Sequence, residues 1–284
     1  MHGNNSRMAL ALSRWILTLL ELGSVCFLVS APTAAGKAAL RLVADVRESR
    51  QIKGMRGIAV LRQEDLVSGT TQSRRVSVTS AAREGSLTVL FVARATASAP
   101  AAAVIITDSS GRRVSGFVFH GPDTVLPLTP ALFERPFLGT DLTIGDLADD
   151  FLSWPAHEEI GREKVSGRDC VIIESRPSPT AGGSAVALVR SWIAPALALP
   201  LKIEKYNGAG DLLRRIDVRR MARIDDRHWG AVVLAVQGAD ARTRTELKMV
   251  KADRRADVLP HEFAVETILK SLSPPPAQNR RGSR

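Results

Sequence analysis

The strongest constraint on this chain is a change of period. From Gly57 onward, apolar residues stop recurring at helical spacing and begin to alternate in short runs broken by turn residues. Arg75-Val76-Ser77-Val78-Thr79 is the clearest run. Val76 and Val78 fall on one side and the polar residues on the other, as in a sheet wetted on one face. Residues 58–61, 87–92, 103–107, 114–119, 157–163, 169–174, 186–193, 199–206, 212–218, 231–236 and 243–249 continue the series. In residues 199–206, Leu201, Ile203 and Lys205 share one face, with Lys202, Glu204 and Tyr206 on the other. Gly111, Ser166-Gly167 and Asn207-Gly208-Ala209-Gly210 supply turns between runs. About eleven strands at this spacing predict an all-β barrel or sandwich. A composition of 45% hydrophobic and 24% charged residues supports one large core and excludes wholesale disorder.

Helices are few. Residues 38–49 read as a short amphipathic helix with Leu40, Val43, Ala44 and Arg47 on one side. Residues 122–136, with Pro122, Pro127, Pro130 and Pro136, read as a loop. Thr143 is a good N-cap, and Asp146 lies where its carboxylate can reach back. Leu142, Leu147 and Phe151 give that short helix an apolar side, and Trp154-Pro155 ends it. A closing helix is expected over residues 261–272.

The first segment reads as an address. Arg7 and Arg14 precede an apolar run from Trp15 to Val29, and small residues follow in Ala31-Pro32-Thr33-Ala34-Ala35-Gly36. That is the layout of a secretory signal, with cleavage expected within residues 33–36. Glu21 interrupts the run, and Val25 before Cys26 does not suit a lipoprotein signal. No later stretch is long and apolar enough to span a bilayer. The expected organisation is a signal peptide over 1–36, one domain over 37–272 and a disordered basic tail over 273–284.

The chemistry expected of this chain is spare. The five histidines include no pair at metal-ligand spacing, so no metal site is expected. Asp225-Asp226 beside His228 lacks a calcium-loop pattern, and Asp149-Asp150 reads as a helix-terminal patch rather than an acid/base pair. Gly182-Gly183-Ser184 lacks the lysine of a phosphate loop, and no Gly-x-Ser-x-Gly elbow is present. Cys170, between Asp169 and Val171, reads as a small core residue, since no His or Lys adjoins it to lower its pKa. Trp154 and Trp192 could stack on a ligand or pack on the sheet. The net charge of +10 is scattered through the chain, and aromatic residues make up only 5%. Neither feature suits a nucleic-acid partner.

One resemblance goes further. Phe137-Leu138-Gly139-Thr140-Asp141-Leu142-Thr143-Ile144-Gly145-Asp146-Leu147 resembles the F-x-G-[ST]-D-[FL]-[ST]-Y-x-D-L signature of the outer-membrane lipoprotein-sorting proteins, the LolA-like family. Gly161, Val165, Gly167 and Cys170 are similar to its hairpin, and Arg190-Ser191-Trp192-Ile193 to its R-x-x-W-I-D strand. Pro200-Leu201-Lys202-Ile203-Glu204-Lys205-Tyr206-Asn207, then Gly210-Asp211-Leu212-Leu213, is similar to P-L-K-x-E-x-Y-D-x-x-G-x-L. Ile144 stands in place of the signature tyrosine, and Ala194 in place of the aspartate after Trp-Ile. The resemblance spans roughly residues 135–270.

It implies a mainly β fold: a half-open antiparallel β-barrel with helices as a lid. It also implies a periplasmic carrier or binder of lipoprotein acyl chains or lipids, without enzymatic activity or cofactor. An inner-membrane transport complex would be its partner. The alternative on the same fold is an envelope sensor or interaction module that reads lipoproteins and signals to a membrane partner. An acyl chain gains ~0.8 kcal/mol per buried methylene. A carrier must also release its cargo, so few buried polar anchors and a mobile lid are expected. The lid would be residues 38–49 and 143–150, and the candidate cavity residues are Val76, Val78, Leu201 and Ile203.

Overall fold

A computed structural model describes residues 34–109, 113–148, 150–178, 185–224 and 228–273. The expected signal up to Thr33, the tail from Pro274, Asp149, Gly182-Gly183-Ser184 and Asp225-Asp226 lie outside the described residues.

The strands are β1 (Met55–Asp65), β2 (Thr71–Arg83), β3 (Ser86–Ala93), β4 (Ala102–Ser109), β5 (Arg113–His120), β6 (Thr124–Pro127), β7 (Ala156–Val165), β8 (Arg168–Arg176), β9 (Leu188–Ala194), β10 (Leu199–Tyr206), β11 (Leu212–Arg223), β12 (Trp229–Gly238) and β13 (Thr243–Asp253). Four α-helices accompany them: α1 (Ala34–Ser49), α2 (Pro130–Phe133), α3 (Ile144–Ala148) and α4 (Val265–Leu272). The loop expected over residues 122–136 contains β6 and α2. A strand bounded by prolines survives there because it lies at the sheet edge.

All strands join one antiparallel sheet in the order β6-β5-β4-β3-β2-β1-β13-β12-β11-β10-β9-β8-β7. Two meanders are thus fused through the pairing of β1 with β13, and β6 and β7 stand at opposite ends without closing. This is the expected mainly β, half-open barrel. Ser166 at φ 49° and Gly167 at φ 75° close the β7–β8 hairpin, as two consecutive left-handed residues in a primed turn should.

The topology sets the path of the rest of the chain. β6 ends at one edge of the sheet and β7 begins at the other, so residues 128–155 must cross it. Phe137, Leu142, Ile144, Ala148, Phe151 and Leu152 from this crossing are buried in the same cluster as Val76, Phe91, Val104, Ile203 and Val236 from the strands. The crossing therefore runs over the concave face and fills part of it. α1 lies on that face too, through Ala39, Val43 and Val46, and packs mainly against β7.

The face of α1 differs from the one expected. Leu40 is 42% exposed and Ala44 is exposed, while Ala39 and Val46 are 1% exposed. The helix is rotated by about one residue because small side chains fit closest to the sheet. The closing helix divides into a 3-10 turn, Pro260–Phe263, and α4. Ile268 and Leu272 of α4 cover Leu90, Ile105 and Phe119 on the outer face of β3–β5. That stretch of sheet is buried on both faces, which explains its nearly continuous apolar runs.

Candidate functional site

The motif residues of the crossing are ties to the sheet. Leu138 at φ 55° and Gly139 at φ 76° turn the chain through left-handed backbone, which explains the glycine. Thr140 Oγ1 donates to Phe137 O at 2.8 Å and holds that turn. Asp141 then docks on β13. Thr243 Oγ1 and Thr245 Oγ1 donate to its carboxylate at 2.5 and 2.7 Å, and its own N–H donates to Thr245 Oγ1 at 3.0 Å.

Thr143 and Asp146 form the reciprocal cap expected. Thr143 N donates to Asp146 Oδ2 at 2.8 Å, and Asp146 N to Thr143 Oγ1 at 3.3 Å. Asp146 does more than cap. Its side chain is fully buried, with Lys205 Nζ of β10 at 2.8 Å from Oδ1 and Arg214 Nε of β11 at 3.0 Å from Oδ2. Arg214 also reaches Glu134 at 3.1 Å. By distance these are contact ion pairs. Both cations act on the carboxylate by charge, and Lys205 adds a side-chain hydrogen bond. Burial alone would push the Asp146 carboxyl up, but Lys205 and Arg214 outweigh it and hold the carboxyl below its ordinary value of 3.8.

This cluster corrects the expectation of few buried polar anchors. Lys205 alternates in phase with Leu201 and Ile203, so β10 delivers a cation to the concave face as surely as it delivers aliphatics. Sequence reading placed Lys205 on that face but did not pair it with Asp146, which lies in a different motif. The available signals were the fixed motif position of Asp146 and the alternation of Lys205 with Leu201 and Ile203.

Beside the crossing lies an apolar cavity of about 330 Å³. Val46 and Ser49 of α1, Met55, Val78 and Phe91 of the first meander, and Leu142, Leu147 and Leu152 of the crossing line it. From the second meander come Leu201, Ile203, Ile216, Val218 and Leu234. Val78, Leu201 and Ile203 of the candidate residues are thus brought together on this lining. Val76 is fully buried in the neighbouring core and lies outside the lining. Arg50, Lys202 and Arg254 also border the cavity.

A second cavity of about 330 Å³ lies near β4 and β5, between Ala101, Phe119, His120, Arg135 and Phe137. His157 sits elsewhere, with Nδ1 at 2.8 Å from Ser175 Oγ, and burial pushes its pKa below the ordinary value of 6.5. Cys170 is buried and burial pushes its thiol up, which suits a core residue. Trp192 is 6% exposed, donates Nε1–H to Glu163 at 2.6 Å and carries Lys202 Nζ at 3.4 Å from its ring centre. It is a packing residue. Among the described residues, no three His, Cys, Asp or Glu side chains are placed to hold a metal ion, and no helix is long and apolar enough to cross a membrane.

A family model described as an "Uncharacterized protein"-like family matches residues 123–268. No curated protein matches the chain at a significant level. Solved structures do. A DUF1329 family protein from Desulfovibrio piger superposes with TM-score 0.74 at 17% identity, covering 83% of this chain and 100% of that one. A domain assigned as an outer membrane lipoprotein-sorting protein, from Vibrio parahaemolyticus, gives TM-score 0.74 at 16% identity, covering 82% and 99%. A LolA superfamily protein from Nitrosomonas europaea gives 0.60 at 17% identity, covering 79% and 96%. At these identities the likeness is one of fold. The chain belongs to the family whose model spans residues 123–268, and its fold is the LolA-like one of those lipoprotein-sorting structures.

Proposed function

We propose that this protein is a non-enzymatic periplasmic carrier or binder of acyl chains, borne by a lipid or by a lipoprotein. The observation that carries this reading is the aliphatic cavity held on the concave face of an unclosed sheet. A filled barrel of this size would spend its inward side chains on each other, whereas an incomplete one leaves room for a guest. The lining of Val78, Leu201, Ile203 and their neighbours offers dispersion and burial without directional bonds. That suits a cargo that must be both gripped and released. Each methylene enclosed is favoured by ~0.8 kcal/mol, so several suffice for a useful grip. Val76 supports the site from the core behind it. Export through the charged and apolar start of the chain accounts for the compartment, and an inner-membrane complex would hand over the cargo.

The test is uptake of dansyl-undecanoate by delipidated protein. Saturable fluorescence enhancement is expected, and Ile203→Glu should abolish it while leaving the far-ultraviolet circular dichroism of the sheet intact. Absence of saturable uptake by the unmodified chain removes the proposal.

A further inference from the structure

We infer that the second cavity, at the β4–β5 end of the concave face, binds a small organic anion: a carboxylate or a phosphate carried on an apolar body. This site is separate from the aliphatic cavity, and the inference stands apart from the acyl-chain reading. The crossing divides the two. Phe91 and Leu142 line the first cavity, and Phe137 and Ile144 line the second. The rings of Phe91 and Phe137 meet edge to face, centroids 6.0 Å apart, as a wall between them. At about 330 Å³ the second cavity lies at the bottom of the range of small-molecule sites, roughly 300–1,000 Å³. Its deep lining is apolar, with Val104, Val118, Phe137 and Ile144 all buried.

The charge is recognised by Arg74. It alternates in phase with Val76 and Val78, so β2 sends its guanidinium to the concave face. Its Nη2 donates to Arg94 O and Pro100 O, both at 2.9 Å, which fixes the fork against the loop of residues 94–101. A guanidinium has five N–H donors, and these two bonds use only those of Nη2. Among the described residues nothing accepts from Nε or Nη1, and no carboxylate lies at ion-pair distance. Burial pushes the Arg74 pKa down, and no neighbouring anion raises it. His120, in phase with Val118 on β5, borders the same cavity, as does Arg135. The lining thus holds three basic residues and, among the described residues, no Asp or Glu. A partly desolvated guanidinium beside low-dielectric walls favours an anion, and a carboxylate or phosphate can take two parallel N–H bonds from it.

The test is isothermal titration calorimetry of the full chain with benzoate, phenyl phosphate, benzyl alcohol and inorganic phosphate. Benzoate or phenyl phosphate should bind about tenfold or more tightly than benzyl alcohol, one charge-assisted hydrogen bond being of that order. The tighter of the two identifies the head as carboxylate or phosphate. Arg74→Gln should remove the preference over benzyl alcohol. That variant also gives up the ties to residues 94–101, so a second one keeps every arginine in place. Ala102→Leu narrows the cavity from β4 and should weaken both anions while the circular dichroism of the sheet stays intact. Ile203→Glu, which blocks the aliphatic cavity, should leave anion binding unchanged, so failure of the acyl reading and failure of this one are told apart. Benzyl alcohol binding as tightly as the anions overturns the charged head. Inorganic phosphate binding as tightly as phenyl phosphate overturns the apolar body. Loss of anion binding in Ile203→Glu, or undiminished binding in Ala102→Leu or Arg74→Gln, puts the anion elsewhere and overturns the site. Absence of saturable binding by either organic anion overturns it as well.

Discussion

Two segments cover the concave face, and they are held by different physics. The crossing over residues 128–155 is bolted: Asp141 to two threonines of β13, and Asp146 to Lys205 and Arg214. α1 rests on Ala39, Val43 and Val46. Its polar ties include Ser49 Oγ donating to Ala198 O at 3.1 Å and a long contact of Arg47 with Asp108 at 3.9 Å. A bolted segment behaves as part of the floor. A segment held chiefly by apolar contact gives up less buried charge when it is displaced. The cavity lies between the two, lined by Val46 and Ser49 from one and Leu142 and Leu152 from the other. Of the two expected lid elements, α1 therefore has the fewer charged ties to the sheet, and α3 shapes the wall of the cavity.

The largest effect should come from Asp146→Ala, which removes the buried carboxylate shared by Lys205 and Arg214 and leaves Arg214 with Glu134. A loss of about 3–5 kcal/mol in denaturant unfolding is expected. A loss below about 1 kcal/mol, the worth of an exposed pair, would break the distinction between the segments. The same variant bears on pH. The Asp146 carboxyl is held below 3.8, so its contribution is fully present above that value. It is lost as pH falls through the lower folded value, and the acid transition should shift upward when the pair is removed.

Val46→Ala should cost about 1–3 kcal/mol, since two buried carbons leave the contact between α1 and the sheet. Hydrogen exchange should quicken across α1 and stay unchanged in α3. Equal quickening in both would mean that they move as one. Gly139→Ala is smaller, about 1–2 kcal/mol, because a Cβ disfavours φ 76° although no neighbouring atom obstructs it. Its effect should appear in the crossing and not in α1.

The smallest effect is a mild acid loosening of the α1 side. Burial lowers the pKa of His157 on β7, and Arg47 of α1 lowers it further, against a raising contact from Trp154. The histidine is thus held neutral in the folded state, and its contribution is complete above pH 6.5 and declines as pH falls below it. Exchange in α1 and β7 should quicken on going from about pH 7.5 to about pH 5, before the crossing responds. A His157→Gln variant should flatten that response.

The strands were legible because alternation is a local property. Val76 and Val78 against Ser77, or Leu201 and Ile203 against Lys202, already declare which side is dry. The N-cap at Thr143 and the turn at Ser166-Gly167 were legible for the same reason, being settled within a few residues. The amphipathic face of α1 was not: Leu40 is the larger hydrophobe, yet Ala39 faces the sheet because there is little space there. Nor could alternation reveal that β1 would pair with β13, a partner nearly two hundred residues away.

That long-range pairing decides the site. Once the two meanders fuse edge to edge, the link between β6 and β7 has to traverse the trough, and Asp146 arrives beside Lys205 and Arg214. Local residue chemistry was enough to establish a one-sided antiparallel sheet and its turns. The cavity, its charged border and the difference between a charge-tied crossing and a helix packed chiefly through apolar side chains depend on contacts distant in sequence. Only the folded chain specifies these, since they arise from where segments meet and not from what each segment prefers.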